Sequence, residues 1–141
     1  PMVDIKVNLC DGSYHNVDSS EIAFKMASAL AIKKGAMLAK PILLEPIYNL
    51  TISIPEYYMG DIIGNLNASR GRILGMENIT KGMGLVRAQA PLSELARYAT
   101  DLRSISQGRG TFDMEFSHYE ELPNKLAKDI IESKKNEKSD I

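Results

Sequence analysis

An order of strand and helix patterns between residues 47 and 116 constrains the fold of this chain more than any other feature. The first pattern is an alternation of apolar and polar residues, which predicts a strand that ends at Pro55. Its apolar members are Tyr48, Leu50, Ile52 and Ile54. A helical pattern follows, with apolar residues at i, i+3, i+4 and i+7. Its members are Met59, Ile62, Ile63 and Leu66, and Gly71 closes it.

Two further strands and a second helix complete this unit. Residues 72–79 and 85–90 read as strands joined by a hairpin at Thr80-Lys81-Gly82. An amphipathic helix over residues 92–102 and a last strand at 112–116 follow. The order β-α-β-β-α-β predicts an α+β, ferredoxin-like plan, with helices on one face of an antiparallel sheet. After Pro123 we expect a short helix that docks on this domain, and a disordered tail at 136–141.

The first 46 residues predict a smaller and incomplete unit. Alternation from Val3 to Leu9 predicts a strand, and a helix is expected from about Ser19 to Lys40. Asp18 and Glu21 have the spacing of a capping box at the start of that helix. The residues between the predicted strand and this helix would form a projecting loop suited to reaching into a partner, although an ordinary polar turn is the commoner meaning of such a pattern. They are Gly12, Ser13, Tyr14, His15, Asn16, Val17, Asp18 and Ser19.

Composition and motifs exclude several classes of function. The net charge is −1, so RNA binding would need local patches. A single cysteine, Cys10, rules out an internal disulfide and, with two histidines, a zinc site. There is no phosphate-binding loop, and no apolar run reaches the ~20 residues of a membrane span. Nothing orients Cys10 and His15 as a catalytic pair, and Asp113 and Glu115 fit a solvated strand face.

One polar group at a helix end is a candidate for RNA contact. Arg103, Ser104 and Gln107 place a guanidinium and two polar groups at the end of the second helix, where a solvated face is the alternative. An RNA-recognition module shares this topology, but it stacks bases on aromatics of its third strand. Residues 84–89 include no aromatic residue, which disfavours that module.

Three long runs in order resemble bacterial elongation factor G, a translational GTPase. They are residues 11–25, 40–46 and 98–110, and residues 115–119 extend the likeness. The resemblance implies that residues 1–46 are the C-terminal part of domain IV, with a ribosomal protein S5 domain 2-like fold. Residues 47–135 would be the ferredoxin-like domain V with its C-terminal helix. The chain, which begins Pro-Met-Val, is then expected to be a piece of a longer protein.

The resemblance also implies a function in the cytoplasm, on the ribosome. The loop from Gly12 to Ser19 would hold tRNA and mRNA at the small-subunit decoding site during translocation. Arg103, Ser104 and Gln107 match a motif that contacts the sarcin–ricin loop of the large subunit. GTP and magnesium would belong to the full-length protein, and this fragment would be a non-catalytic monomer. A paralogue, a ribosome-protection factor and a free-standing ferredoxin-like binding domain remain the alternatives.

Overall fold

The computed structural model describes the backbone of residues 1–139 and the side chains of residues 1–137. The chain divides into two compact units, one of residues 1–41 and one that begins at residue 42. We call them the N-terminal unit and the C-terminal unit.

The C-terminal unit is built on a four-stranded antiparallel sheet in the order β2-β3-β1-β4. Its strands are β1 (Leu44–Pro55), β2 (Arg72–Thr80), β3 (Met83–Pro91) and β4 (Thr111–Glu121). Helix α2 (Met59–Ala68) connects β1 to β2, and α3 (Leu92–Leu95) and α4 (Tyr98–Ile105) connect β3 to β4. The predicted α+β, ferredoxin-like order is confirmed.

The core lies between one face of this sheet and the three helices. Alternate residues of β1 and β3 point inward, and they meet one side of α2 and of the α3–α4 pair. The buried cluster consists of Leu50, Ile52, Ile54, Ile62, Leu66, Val86, Ala88, Ala90, Leu95, Tyr98 and Leu102. All of these residues belong to the C-terminal unit, so the apolar burial that stabilises the described fold is concentrated there.

Two features of this unit differ from the prediction. Strand β1 begins at Leu44, so the last residues that we assigned to the first domain are part of the sheet. The predicted helix over residues 92–102 is two helices, with a break between the buried side chains of Leu95 and Tyr98.

The chain continues as a long helix after the sheet. Helix α5 (Asn124–Ser139) includes most of the predicted disordered tail, so that prediction is wrong through Ser139; residues 140 and 141 lie outside the described part. An ion pair three residues apart, Lys134 Nζ to Glu137 Oε2 at 2.6 Å, supports its last turns. Docking is more limited than predicted, because Ile130 and Ile131 remain 47% and 45% exposed.

The N-terminal unit consists of an extended segment, a loop and helix α1 (Glu21–Leu38). The predicted strand from Val3 to Leu9 is absent from it. A strand needs a neighbour for its hydrogen bonds, and no described residue pairs with this segment. No residue of α1 is buried in the described structure.

Helix α1 also starts differently from the predicted capping box. Its N-cap is Ser20, whose side chain accepts a hydrogen bond from the Ala23 N–H at 3.1 Å. Glu21 does not reach back to Asp18; its carboxylate pairs with Lys25 Nζ at 2.6 Å, one turn along the helix. The capping function that we assigned to Asp18 therefore belongs to Ser20.

Helices α2 and α4 end in the same way, with a non-glycine residue in the left-handed conformation. In α4 the Gly108 N–H donates to the Arg103 carbonyl at 2.8 Å, and Gln107 has φ of 52°. In α2 the Gly71 N–H donates to the Leu66 carbonyl at 2.7 Å, and Arg70 has φ of 54°. This is the Schellman arrangement, in which glycine is the usual left-handed residue.

Candidate functional site

The loop of residues 12–19, which we call the tip loop, closes on itself by hydrogen bonds. The His15 N–H donates to Ser19 Oγ at 2.7 Å, and the Ser19 N–H donates to the His15 carbonyl at 3.1 Å. Residues 15–19 thus form a small ring immediately before the N-cap Ser20. The backbone is held by the loop itself, which leaves most of its side chains exposed to a partner.

His15 is both exposed and part of the support of this ring. Its side chain is 67% exposed, and its Nδ1 accepts from the Val17 and Asp18 N–H groups at 3.3 Å each. A nitrogen that accepts carries no proton, so this pattern assigns the proton of a neutral ring to Nε2. Nε2 is then a free donor among the described residues. Asp18 Oδ2 lies 3.3 Å from Nδ1 and becomes an ion-pair partner when the ring is protonated.

Tyr14 is supported from the helix side of the loop. Its ring stacks on that of Phe24 in α1, with centroids 6.3 Å apart and an interplanar angle of 6°. Tyr14 remains 69% exposed, so one face of the tyrosine is available outside the loop. The sequence pattern predicted the loop but not the contact between Tyr14 and Phe24. The aromatic residue in the first turn of the helix was the feature that could have indicated it.

The second candidate surface is the turn of residues 103–109, which we call the α4 exit turn. Arg103, Ser104 and Gln107 are all exposed on it, and so is Arg109. The buried Ser106 holds the turn from inside: its Oγ donates to the Leu102 carbonyl at 2.6 Å and accepts from the Gly110 N–H at 2.9 Å. The three predicted contact residues are therefore brought together on one supported turn.

Gln107 occupies the most unusual backbone position of this turn. A left-handed conformation costs an L-residue roughly 1–2 kcal/mol, and glycine avoids that cost. At the equivalent position of α2, Arg70 offsets the cost with hydrogen bonds to Glu45. The Gln107 side chain has no hydrogen-bond partner among the described residues. A strained residue with an outward, unpaired side chain is a candidate for contact with a partner.

The cluster around Arg70 was not predicted, and it fixes the end of the sheet. Arg70 Nη1 and Nη2 bind the two carboxylate oxygens of Glu45 at 2.8 and 3.0 Å, and Nε binds Glu94 at 3.1 Å. Hydrogen bonding to Glu45 raises the pKa of Arg70 above its ordinary value. The signal in the sequence was Glu45, a single carboxylate within the apolar run from Ile42 to Ile47.

Other chemistry finds no support in the described part of the chain. Within residues 1–137, no three metal-ligating side chains come together. None of the helices in the described range is long and apolar enough to cross a membrane. Tyr48 packs on the core side of β1, and β3 contributes no aromatic residue to the open face of the sheet. The base-stacking platform of an RNA-recognition module is thus missing from these two strands.

Comparison with known proteins matches the two units separately. Residues 1–40 match the model of elongation factor G, domain IV, and residues 42–130 match that of the elongation factor G C-terminus. A protein of Thermus thermophilus with a known crystal structure is 44% identical, with a TM-score of 0.78. The match covers 89% of this chain and 19% of that one. The chain thus spans about a fifth of the length of that protein.

The fold, the two exposed surfaces and these matches define a region of a translation elongation factor. The chain belongs to the elongation factor G family, of which it contains residues of domain IV and the C-terminal domain.

Proposed function

We propose that this chain is the ribosome-contacting part of a translocation factor that acts as a monomer in the cytoplasm. The tip loop holds the tRNA–mRNA duplex at the decoding site of the small subunit. The α4 exit turn contacts the sarcin–ricin loop of the large subunit. GTP and magnesium are bound by another part of the full-length protein, because this chain has no phosphate-binding loop.

One observation carries this proposal: both surfaces are closed by their own hydrogen bonds and keep polar side chains exposed. His15 Nε2 and the side chains of Arg103 and Gln107 have no hydrogen-bond or ion-pair partner within residues 1–137. Such groups suit contact with sugar and phosphate, where shape and backbone contacts dominate and no base-specific code is needed. A rigid backbone also lowers the entropy cost of binding.

The experiment measures translocation and GTP hydrolysis on one preparation of ribosomes. Replacement His15→Ala in the full-length factor should slow translocation by about tenfold to a hundredfold, because one charged or poorly solvated contact contributes roughly 1–3 kcal/mol. GTP hydrolysis should stay near its normal rate, since the nucleotide is bound elsewhere.

A second replacement separates contact from support. In His15→Asn, the side-chain oxygen can accept the Val17 and Asp18 N–H groups as Nδ1 does, but the amide nitrogen takes the place of ring carbon Cδ2 and ends short of the outward Nε2 donor. We expect His15→Asn to fold like the wild type and to translocate as slowly as His15→Ala. Full activity of His15→Asn would assign the histidine to loop support alone, and an equal fall in hydrolysis would indicate a general docking defect.

A ribosome-protection factor is the main alternative, and it shares this architecture. The full-length protein would then release a bound antibiotic from stalled ribosomes and would not sustain translocation by itself. The same measurement of translocation and GTP hydrolysis distinguishes the two functions.

A further inference from the structure

Strand β4 is an edge of the sheet, and among the described strands it pairs with β1 alone. Among the described elements it packs extensively on β1 alone, and the pairing is uninterrupted from Ser53–Thr111 to Tyr48–Phe116. The opposite edge, β2, has two register shifts along its length. Bulges blunt an edge against further pairing, so β4 offers the better template for an added strand.

The helix-side face of β4 presents apolar groups beyond the reach of the core. Met114 and Phe116 lie opposite Leu50 and Tyr48, on the helix side of the sheet. They are nevertheless 49% and 46% exposed. The Phe116 ring contacts Tyr48 and Tyr119, with centroids 5.9 and 5.2 Å away. The register shift between Ile47 and Tyr48 places Phe116 and Tyr119 on the same face, which extends the apolar strip along the edge.

The other face of the same segment carries negative charge that nothing in the described part of the unit neutralises. Asp113 and Glu115 are exposed, and neither has an ion-pair or hydrogen-bond partner among the described side chains. Their cross-strand neighbours on β1 are Thr51 and Asn49, which are uncharged. An added strand would therefore place its own side chains next to two unpaired carboxylates on one face.

We propose that the β4 edge binds an extended segment of a partner protein in which lysine or arginine alternates with apolar residues. The backbone of the segment extends the sheet, its basic side chains face Asp113 and Glu115, and its apolar side chains pack on Met114 and Phe116. A second copy of the chain fits poorly, because β4 paired with β4 brings carboxylates close to carboxylates. This inference involves neither the tip loop nor the α4 exit turn, and it does not depend on the proposed function.

The test uses the whole chain and synthetic peptides of about six residues, the common length of a strand. The probe alternates lysine with valine. One control has glutamate for lysine, and another has proline at alternate positions, which removes the backbone N–H donors at those positions. We expect saturable, salt-sensitive binding of the lysine peptide only. Amide hydrogen exchange should slow at β4 and not at β2.

Charge-reversal variants test whether Asp113 and Glu115 bind the basic side chains of the peptide. Asp113→Lys with Glu115→Lys should weaken binding of the lysine peptide by about tenfold or more and improve that of the glutamate peptide. The matched control, Glu56→Lys with Glu132→Lys, changes the net charge equally at exposed positions away from β4 and should leave binding unchanged. Thermal unfolding checks that both double variants fold.

Three results would overturn the proposal. They are the absence of saturable binding, equal binding of the proline peptide, and equal weakening by the control variant. Concentration-dependent dimerisation of the chain through β4 would also overturn it, by making a second copy the occupant.

Discussion

Gln107 and Arg70 occupy equivalent positions at two helix ends, yet their side chains have different surroundings. The Arg70 side chain binds Glu45, Glu94 and Ser93, whereas the Gln107 side chain has no partner among the described residues. Both positions have positive φ, where glycine is favoured. The comparison indicates that Arg70 stabilises the fold, whereas the side chain of Gln107 is available for binding.

Replacement Gln107→Gly should therefore raise the free energy of unfolding of this chain, by up to about 1 kcal/mol. If Gln107 contacts ribosomal RNA as we propose, the same replacement in the full-length factor should weaken ribosome-stimulated GTP turnover. Chemical denaturation and turnover assays measure the two effects. The matched control is Arg70→Gly, the same change in the same motif, which should destabilise the chain. Unchanged turnover for Gln107→Gly would remove Gln107 from the RNA-contacting surface.

Tyr98 offers a second prediction at the scale of the residue. Its side chain is 1% exposed and its hydroxyl has no hydrogen-bond partner among the described residues, while its ring packs edge-on against Phe112. An unpaired buried hydroxyl costs free energy, so Tyr98→Phe should stabilise the chain by about 1 kcal/mol at neutral pH. Thermal or denaturant unfolding measures this change, and a clear destabilisation would mean that the hydroxyl has a partner.

The same residue gives a pH dependence with a definite sign. Burial, and then the negative charge of Asp101, raise the pKa of Tyr98 above its ordinary value. Below pH ~10 the tyrosine is protonated in both folded and unfolded chains and adds no slope. Above it the unfolded chain loses the proton first, so stability falls as the pH rises. This part of the alkaline loss should disappear in Tyr98→Phe, and an identical alkaline profile would contradict it.

At the scale of the elements, the Arg70 cluster connects the start of β1, the end of α2 and helix α3. Glu45 is 9% exposed, so its charge depends on Arg70 for compensation. Arg70→Ala should lower the free energy of unfolding by about 2–3 kcal/mol, less than for a fully buried pair because Arg70 is partly exposed. Arg70→Lys should recover only part of this, since lysine cannot bind both carboxylate oxygens in the same plane.

The double replacement Arg70→Ala with Glu45→Gln distinguishes a lost attraction from a stranded charge. A neutral amide at Glu45 removes the uncompensated carboxylate, so the double variant should be more stable than Arg70→Ala alone. Equal stability of the two would show that the guanidinium acts through packing.

The sequence predicted the elements of the C-terminal unit because its patterns come from the core itself. Apolar residues alternate with polar ones along β1 because every second side chain packs in the core. The apolar members Leu50, Ile52 and Ile54 are buried in the structure. The tip loop was indicated by a capping-box spacing and the α4 exit turn by polar residues at a helix end, whereas their assignment as ribosome contacts came from the family resemblance.

Features that depend on a distant partner or on one hydrogen bond could not be predicted in this way. The segment from Val3 to Leu9 alternates like a strand, but pairing requires a neighbour that periodicity does not supply. Asp18 and Ser20 are both good N-caps, and only the observed bond from Ala23 selects Ser20. Arg70 and Glu45 are far apart in sequence, so their pairing has no local signature.

At the scale of the whole molecule, the two units differ in how they are stabilised. Within the described residues, all the buried apolar side chains lie between Ile47 and Leu122, and α1 has none. A chain of residues 42–141 should therefore fold alone, with a midpoint of thermal unfolding within about 4 °C of that of the whole chain. Calorimetry of the two chains checks this. Loss of the cooperative transition on removing residues 1–41 would show that the N-terminal unit contributes to the stability of the C-terminal one.

The position of β1 in the sheet has a mechanical consequence for any load on the connection that leads into it. The connection after Pro41 leads directly into β1, which lies between β3 and β4. A load applied along β1 through this connection meets nine residue pairs with β3 and ten with β4. Both ladders would have to shear together and could not unzip one bond at a time. The C-terminal unit is thus anchored to resist tension at the point where the chain enters it.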